Sequence, residues 1–288
     1  MIVARAPAST ANLGPGFDAA AAALDLWNTV ELEEGPFSVD VEGEGVGELP
    51  RDATHLSLQA FALFAGAERY AFRFTNEIPL ERGLGSSAAA IGLGLVAGAA
   101  AAGHVVAADE LLTLGARLES HLDNLAAVVH GGVTVAWRDG GGPCARRIAT
   151  DVPASPVAVV PRARTSTGAS RAALPQSIQH AEAAETAGAA LLLGAALVGG
   201  DADLLRHAFR DRLHEPYREA GAPLLSRLRA SPPVGCLGVT LSGSGPSVIV
   251  WAERGRADEV SDALRASIGE DATVLALAVA ASGAAVVA

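Results

Sequence analysis

The 288-residue chain contains no lysine; all 21 of its basic residues are arginine. A P-loop NTPase needs the lysine of its GK[ST] motif on the phosphates, so that class is excluded. Schiff-base chemistry and pyridoxal phosphate anchoring need a lysine amine and fall with it. Cysteine is nearly absent: Cys144 and Cys236 stand far apart, in no CxxC or metal-like spacing. A disulfide framework is therefore not expected, and a reducing cytoplasm suits the chain. The opening residues, MIVARAPAST, lack the apolar run of a signal peptide. Also missing is any basic patch. The net charge is −11, with acids and arginines interspersed, which argues against a nucleic-acid partner.

Charge is also lacking between Gly83 and Ala108, a length that meets the crude test for a membrane span. That stretch is mostly Ala and Gly, and no Trp or Tyr flanks it as an interfacial anchor. A small-residue helix packed closely inside a soluble domain explains it better, so no membrane partner is expected.

What is present alternates between strand and helix patterns. Ile2–Pro7 reads as a strand, followed by a Pro/Gly-rich loop in PASTANLGPGFD (residues 7–18). LDLWNTVELEEG reads as a strand, with FSVDVEGEG as its hairpin or sheet partner. A helix is expected over Thr54–Gly66 with Thr54 as N-cap, then a strand at YAFRFTNEI. The small-residue helix should end near Ala102, and a second helix should run from Asp109, as cap, to about Glu119. Strands follow at GGVTVAWRDGGG, CARRIAT and ASPVAVVP. The second half offers a helix over 176–198, further helices to Leu228, and a strand–loop–strand unit at 234–253. A helix at Ala257–Ile268 and a closing strand at Ala272–Val279 complete it. This order predicts an α+β fold: residues 1–153 form a mixed β/α domain, and residues 154–288 a split β-α-β, ferredoxin-like domain.

The segment PLERGLGSSAAA (residues 79–90) precedes the small-residue helix. Two glycines, two serines and a helix start aim several unpaired backbone N–H groups one way, a ready anion site that needs no lysine. A serine hydroxyl there can also ligate a magnesium ion riding on phosphate oxygens. Such loops occur as plain connectors too. The companion stretches decide between these readings: PASTANLGPGFD, LESHLDNLAAVVHGG (118–132) and LSGSGPSVIVW (241–251).

Together these motifs resemble the GHMP kinase superfamily. RTSTGASRAALP (164–175) and DRLHEPYR (211–218) are similar to stretches typical of its homoserine kinase branch. The resemblance runs from Ile2 nearly to the C-terminus. It implies ATP-dependent phosphorylation of the L-homoserine side-chain hydroxyl, in threonine biosynthesis, with the nucleotide held between two domains. By this resemblance Leu80, Glu81, Arg82, Gly83, Leu84, Gly85, Ser86, Ser87, Ala88 and Ala89 form the ATP phosphate loop. Ser87, with Ser86 as the alternative, and Glu119 take Mg2+. Glu119 at a helix end would oppose the dipole, so a compensating partner is expected.

The HLDN run supplies His121, Asp123 and Asn124 as catalytic and substrate-contacting candidates. Asp123 is the candidate base, and His121 and Asn124 are alternatives for orienting the hydroxyl. Many relatives carry proline where Leu122 stands. An amino acid substrate needs a cation for its carboxylate, and Arg171 and Arg218 fit. Asp18 with Asn12 suits its ammonium, and Thr167 and Gly243 complete the pocket. His55, His104, His130, His180 and His207 show no metal-like spacing and are given no role; His214 is either part of its motif's function or purely structural. Another small-molecule kinase of the superfamily would share the loop but not RTSTGASRAALP. A non-catalytic binding module would not need the loop serines, Glu119 and Asp123 that are present. A homodimer is compatible with the pattern, whose stoichiometry the sequence does not set.

Overall fold

The computed structural model describes residues 1–287. Its first part runs β1 (Ile2–Ala11), β2 (Ala20–Glu34), β3 (Ser38–Gly43), α1 (Leu56–Phe61), β4 (Tyr70–Asn76), α2 (Ser86–Ala101), α3 (Ala108–Gly115), α4 (Leu122–His130), β5 (Val133–Asp139) and β6 (Gly142–Ala149). The second runs β7 (Ser155–Pro161), α5 (Thr167–Ala172), α6 (His180–Gly199), α7 (Ala202–Ala208), α8 (Glu215–Arg218), α9 (Pro223–Ala230), β8 (Cys236–Leu241), β9 (Val248–Ala252), α10 (Ala257–Ile268) and β10 (Ala272–Ala276), and ends with β11 (Ala285–Val287).

The first sheet has strand order β11-β1-β2-β4-β3, with β5 joined to β2 and β6 to β5. It is mixed: β3 pairs parallel with β4, while β1, β2 and β4 pair antiparallel. The expected hairpin between the second and third strands is therefore not formed. β2 is long enough to take β4 along its second half and β5 at its start, which leaves β3 the outer edge of β4. Small side chains decide how close the helices come. Ala4, Ala6, Ala8 and Ala20–Ala23 are buried on β1 and β2, and α2 and α4 pack over them.

The second sheet, β10-β7-β9-β8, is antiparallel throughout. That order is the ferredoxin-like arrangement the strand–helix sequence predicts. Its two faces divide by the two-residue strand period. Val157, Val159, Val248 and Val250 meet Leu225, Leu228, Val260 and Leu264 of α9 and α10. Ala158, Val160, Ile249 and Trp251 instead join the core of the first sheet. Burial on both faces explains why these strands read as unbroken apolar runs.

Several boundaries move. β1 continues to Ala11 through a register shift at Pro7/Ala8, since a bulge accommodates the proline that suggested a break. The cap of α1 is His55, whose Nδ1 accepts from the Ser57 N–H, while Thr54 bonds Asp52. Asp109 lies inside α3 behind an N-cap at Ala107, and α3 stops at Gly115, so Glu119 is in the turn that follows. The long helix starts at His180, where Gln179 and Glu182 form a capping box. The closing strand ends at Ala276. From there the chain returns to the first sheet, where Val279 bridges Leu24 and β11 pairs with β1. The expected closing strand thus stays in the second sheet as β10, and the further strand β11, though within residues 154–288, belongs to the first sheet.

The uncharged stretch forms α2, 16 residues long, buried throughout residues 91–99 and open in its first turn at Ser86 and Ser87. Among the described residues, the helix of a length and composition to cross a bilayer is α6 instead. Thr186, Ala189, Leu193, Ala196 and Leu197 form its buried side.

Candidate active site

The site begins where the ends of four elements converge. β1 delivers Asn12 and the loop to Asp18; α2 and α4 start beside it; the turn after β8 closes it from the second sheet. A single cleft is lined by Asn12, Asp18, Glu81, Gly83, Gly85, Ser86, Ser87, Ala88, Glu119, His121, Asp123, Asn124, Thr167, Arg171, Arg218 and Gly243. Every candidate substrate, catalytic and metal residue from the sequence is among them.

The phosphate-loop candidates divide. Gly85 caps α2 at φ +71° with no side-chain cap, so the first amides of the helix are free to face an anion. Leu84 and Ala89 are instead buried in the core. Leu80 faces a neighbouring cavity, described below. Arg82 spends its guanidinium on the carbonyls of Leu80, Pro161 and Arg162 at 3.0–3.1 Å, tying the loop to the end of β7. The Ser242 hydroxyl donates to the Gly83 carbonyl at 2.7 Å, bracing the loop from the second sheet. Asn12, Asp18 and Glu81 all hold positive φ, a costly backbone state for residues with a Cβ that clusters at functional sites.

Glu119 does not end α3, so no helix dipole opposes it, but it is held by a partner all the same. Its Oε1 takes the His121 backbone N–H at 3.0 Å and lies 2.8 Å from the ring Nδ1, while Oε2 accepts from Ser87 Oγ at 3.3 Å. Burial pushes the Glu119 carboxyl up, but the His121 bonds outweigh it and hold it below its ordinary value. The hydrogen bond to Glu119 raises His121 in turn. Ser87 and Glu119 thus point two hard oxygen donors at one spot beside the α2 N-terminus. That set suits a magnesium ion bound mainly through phosphates and one or two protein oxygens.

Asp123 sits in the first turn of α4, 4% exposed. Burial pushes its carboxyl up to about 6, opposed by the Asn124 N–H on Oδ1 and reinforced by Asp18. Asn124 is fixed by Ser9, whose hydroxyl donates to its Oδ1 at 2.8 Å.

The charged pole lies opposite. Arg171 on α5 reaches across to Asp18 with both carboxylate oxygens within 2.9 Å, and both side chains are nearly half exposed. Asn12 donates to the Gly243 carbonyl and accepts from the Asp18 N–H, each at 3.0 Å. Arg218, 6% exposed, places Nη1 on that same carbonyl at 3.2 Å, and its Nε is buried without a partner.

The sequence left some participants unassigned. Thr165, Ser166 and Ser244 also line the cleft; the first two stand in the RTSTGASRAALP motif and could have been read from it. Phe17, in the opening motif, lies under the guanidinium groups of Arg171 and Arg218 at 5.7 and 5.3 Å. On the far side of Ser86 and Ser87, a second cavity is lined by Asn28, Leu49, His55, Leu56, Asn76 and Leu80. His55 accepts through Nδ1, so Nε2 bears the proton and is a buried donor without a partner. A lone histidine carries no sequence signal of that kind.

Residues 52–132 match the family description "GHMP kinases N terminal domain", and residues 193–271 match "GHMP kinases C terminal". The chain is 37% identical to the homoserine kinase of Moorella thermoacetica over the full length of both. It is 41% identical to that of Streptomyces avermitilis, over 89% of this chain and 87% of the relative. The crystal structure of homoserine kinase from Cytophaga hutchinsonii superposes with a TM-score of 0.86 at 25% identity, covering 99% of this chain and 97% of that one. Mevalonate kinase from Methanococcus jannaschii shares the fold, with a TM-score of 0.73 at 14% identity, over 96% of this chain and 98% of that one. With its two-sheet α+β architecture and unbroken likeness along the chain, this protein belongs to the homoserine kinases of the GHMP kinase family.

Proposed function

We propose that the cleft holds ATP and L-homoserine together and passes the γ-phosphoryl group to the side-chain hydroxyl, giving O-phospho-L-homoserine, a step of threonine biosynthesis. One observation carries this reading. An uncapped helix N-terminus lies in the same cleft as a paired set of opposite charges, Asp18 with Arg171 and Arg218. The first suits a triphosphate and the second the two poles of an amino acid.

The free amides behind Gly85 and the hydroxyls of Ser86 and Ser87 take the phosphates, and the cavity past them accepts the nucleoside. Ser87 and Glu119 would hold Mg2+, which supplies charge neutralisation on the transferring group. His121 orients Glu119 for that task. Homoserine sets its ammonium against Asp18 and Asn12 and its carboxylate against Arg171 and Arg218, with Thr167 and Gly243 completing the wall. A half-exposed ion pair is worth about 1 kcal/mol or less, so the substrate's own charges can replace the Asp18–Arg171 contact. Asp123 accepts the hydroxyl proton or aligns it. Its raised pKa lies near the working pH, where a general base is most effective. Asn124, locked by Ser9, helps orient the hydroxyl.

Purified protein is expected to consume ATP only when L-homoserine is added. Turnover with mevalonate or galactose but not with homoserine would overturn the substrate assignment. Arg218→Ala should raise the homoserine KM far more than the ATP KM; equal rises would show that the carboxylate pocket lies elsewhere.

A further inference from the structure

His214 is fully buried and stands just before α8, four residues ahead of Arg218. Both ring nitrogens are engaged. Nε2 lies 2.9 Å from the Gly14 carbonyl oxygen, and Nδ1 lies 3.1 Å from Nη1 of Arg218. A carbonyl only accepts and a guanidinium only donates. The ring is therefore neutral, with the proton on Nε2 and Nδ1 accepting from Arg218. Asp211 lies 3.6 Å from Nε2 but does not compete for that proton. Its Oδ2 is already taken by the backbone N–H groups of His214 and Glu215, at 2.8 and 2.7 Å. Burial acts in the same direction, holding the imidazole down at about 4 against the pull of Asp211.

The two ends of the ring reach the two poles of the substrate pocket. Gly14 belongs to the loop that carries Asn12 and Asp18. Phe17 of that loop stacks on His214, centroids 4.9 Å apart, and underlies the guanidinium of Arg218. The Gly243 carbonyl closes the circuit by accepting from both Asn12 and Arg218. Arg218 thus bonds His214 and Gly243 through Nη1 alone, and its buried Nε is unpartnered. The Nε/Nη2 edge is the one left to take a carboxylate with two parallel hydrogen bonds.

We propose that His214 is a positioning residue for homoserine recognition: its neutral ring pins Arg218 by Nη1, presents the Nε/Nη2 edge to the carboxylate, and links that arginine to the loop serving the ammonium. The proposal rests on the substrate reading above, which wild-type turnover with homoserine tests first and separately.

Two substitutions separate the two ends of the ring. His214→Gln keeps a donor near Nε2 for Gly14 but loses the acceptor for Arg218; His214→Asn keeps an acceptor near Nδ1. His214→Gln is expected to raise the homoserine KM about tenfold, with the ATP KM changed less than about twofold and kcat less than about threefold. His214→Asn should restore most of the homoserine KM. In the Arg218→Ala background, His214→Gln should add nothing further, as non-additivity requires of residues acting as a unit. The proposal falls if His214→Gln leaves the homoserine KM unchanged, if both KM values rise alike in both variants, or if the double variant is additive. A measurement on the intact protein needs no variant. 15N NMR of the His214 ring should show an unprotonated Nδ1 near neutral pH whose shift moves on adding homoserine. A protonated or unresponsive ring would overturn the proposal.

Discussion

Asp123 shows how one side chain couples chemistry to stability. Its folded-state pKa, about 6, stands above the ordinary 3.8. Between those values the folded protein holds a proton that the unfolded chain has released, so stability falls as pH rises through the window. Well above pH 6 the cost is complete and is on the order of 3 kcal/mol. Asp123→Asn should therefore raise the melting temperature at pH 8 and lose that advantage towards pH 4. Its kcat should fall by about 100-fold or more, in the range general bases contribute. In the wild type, kcat/KM should decline below about pH 6 as the carboxylate protonates. A variant less stable than wild type at pH 8 would show that burial of this charge is not costly. Glu119 carries a different expectation. Glu119→Gln weakens a hard-cation ligand and the hold on His121, so half-saturation by Mg2+ should shift upward about tenfold. The homoserine KM should move little, and titration of activity against Mg2+ checks both.

Among elements, α2 depends most on what its residues lack. A Cβ at Gly94 would collide with the Ser57 carbonyl of α1, and the two helices cross there in close contact. Gly94→Val should cost at least about 2–3 kcal/mol through overpacking. Gly188 in α6 has nothing within 4 Å of a Cβ, so Gly188→Ala should stabilise by about 0.5–1 kcal/mol through helix propensity. Thermal melts of the two variants, shifting in opposite directions, separate packing from composition. Gly85 tests the loop itself. Its φ of +71° and the Ser9 hydroxyl facing it leave no place for a methyl group, so Gly85→Ala should raise the ATP KM and disturb Asn124, which bonds the same hydroxyl. An unchanged ATP KM would show that the amides behind Gly85 do not hold the phosphates. The start of α2 was legible because GLGSS concentrates turn residues before a charge-free run. The start of α3 was not. Asp109 has the chemistry of a cap, yet the chain enters the helix two residues earlier, and the aspartate adds only its charge to the first turn. The cap of α1 was hidden because a buried histidine does by its ring nitrogen what Thr54 was expected to do by its hydroxyl.

At the scale of the whole molecule, the motifs located the cleft because each lies where a strand or helix ends, and such ends carry strong turn chemistry. What they did not reveal is how the second sheet is tied back to the first. AVV at residues 285–287 is too short and too like its alanine-rich surroundings to show a strand period. Residues 278–287 nonetheless thread the first sheet. Ala280 exchanges backbone bonds with Ala23 and Gly132, and the Ala281 carbonyl takes Arg147. Ala284 donates to the Val128 carbonyl at the end of α4 at 2.7 Å, satisfying one of the acceptors every helix leaves open at its C-terminus. Ending the chain after Ala276 would keep every candidate catalytic residue and the whole second sheet. It would also strip β1 of its edge partner and α4 of its C-terminal contacts. Each bond lost from a buried setting is worth about 1 kcal/mol, so we expect a loss of several kcal/mol, with amides of α4 exchanging with solvent faster than those of β8 and β9. Asp123 opens α4, so kcat should fall as well, although no residue touching the substrate has been removed. Hydrogen exchange and kcat on the shortened chain check this together. If α4 stays as protected as in the full chain, the last strand is only an appendage, and the site is held by the two sheets without it.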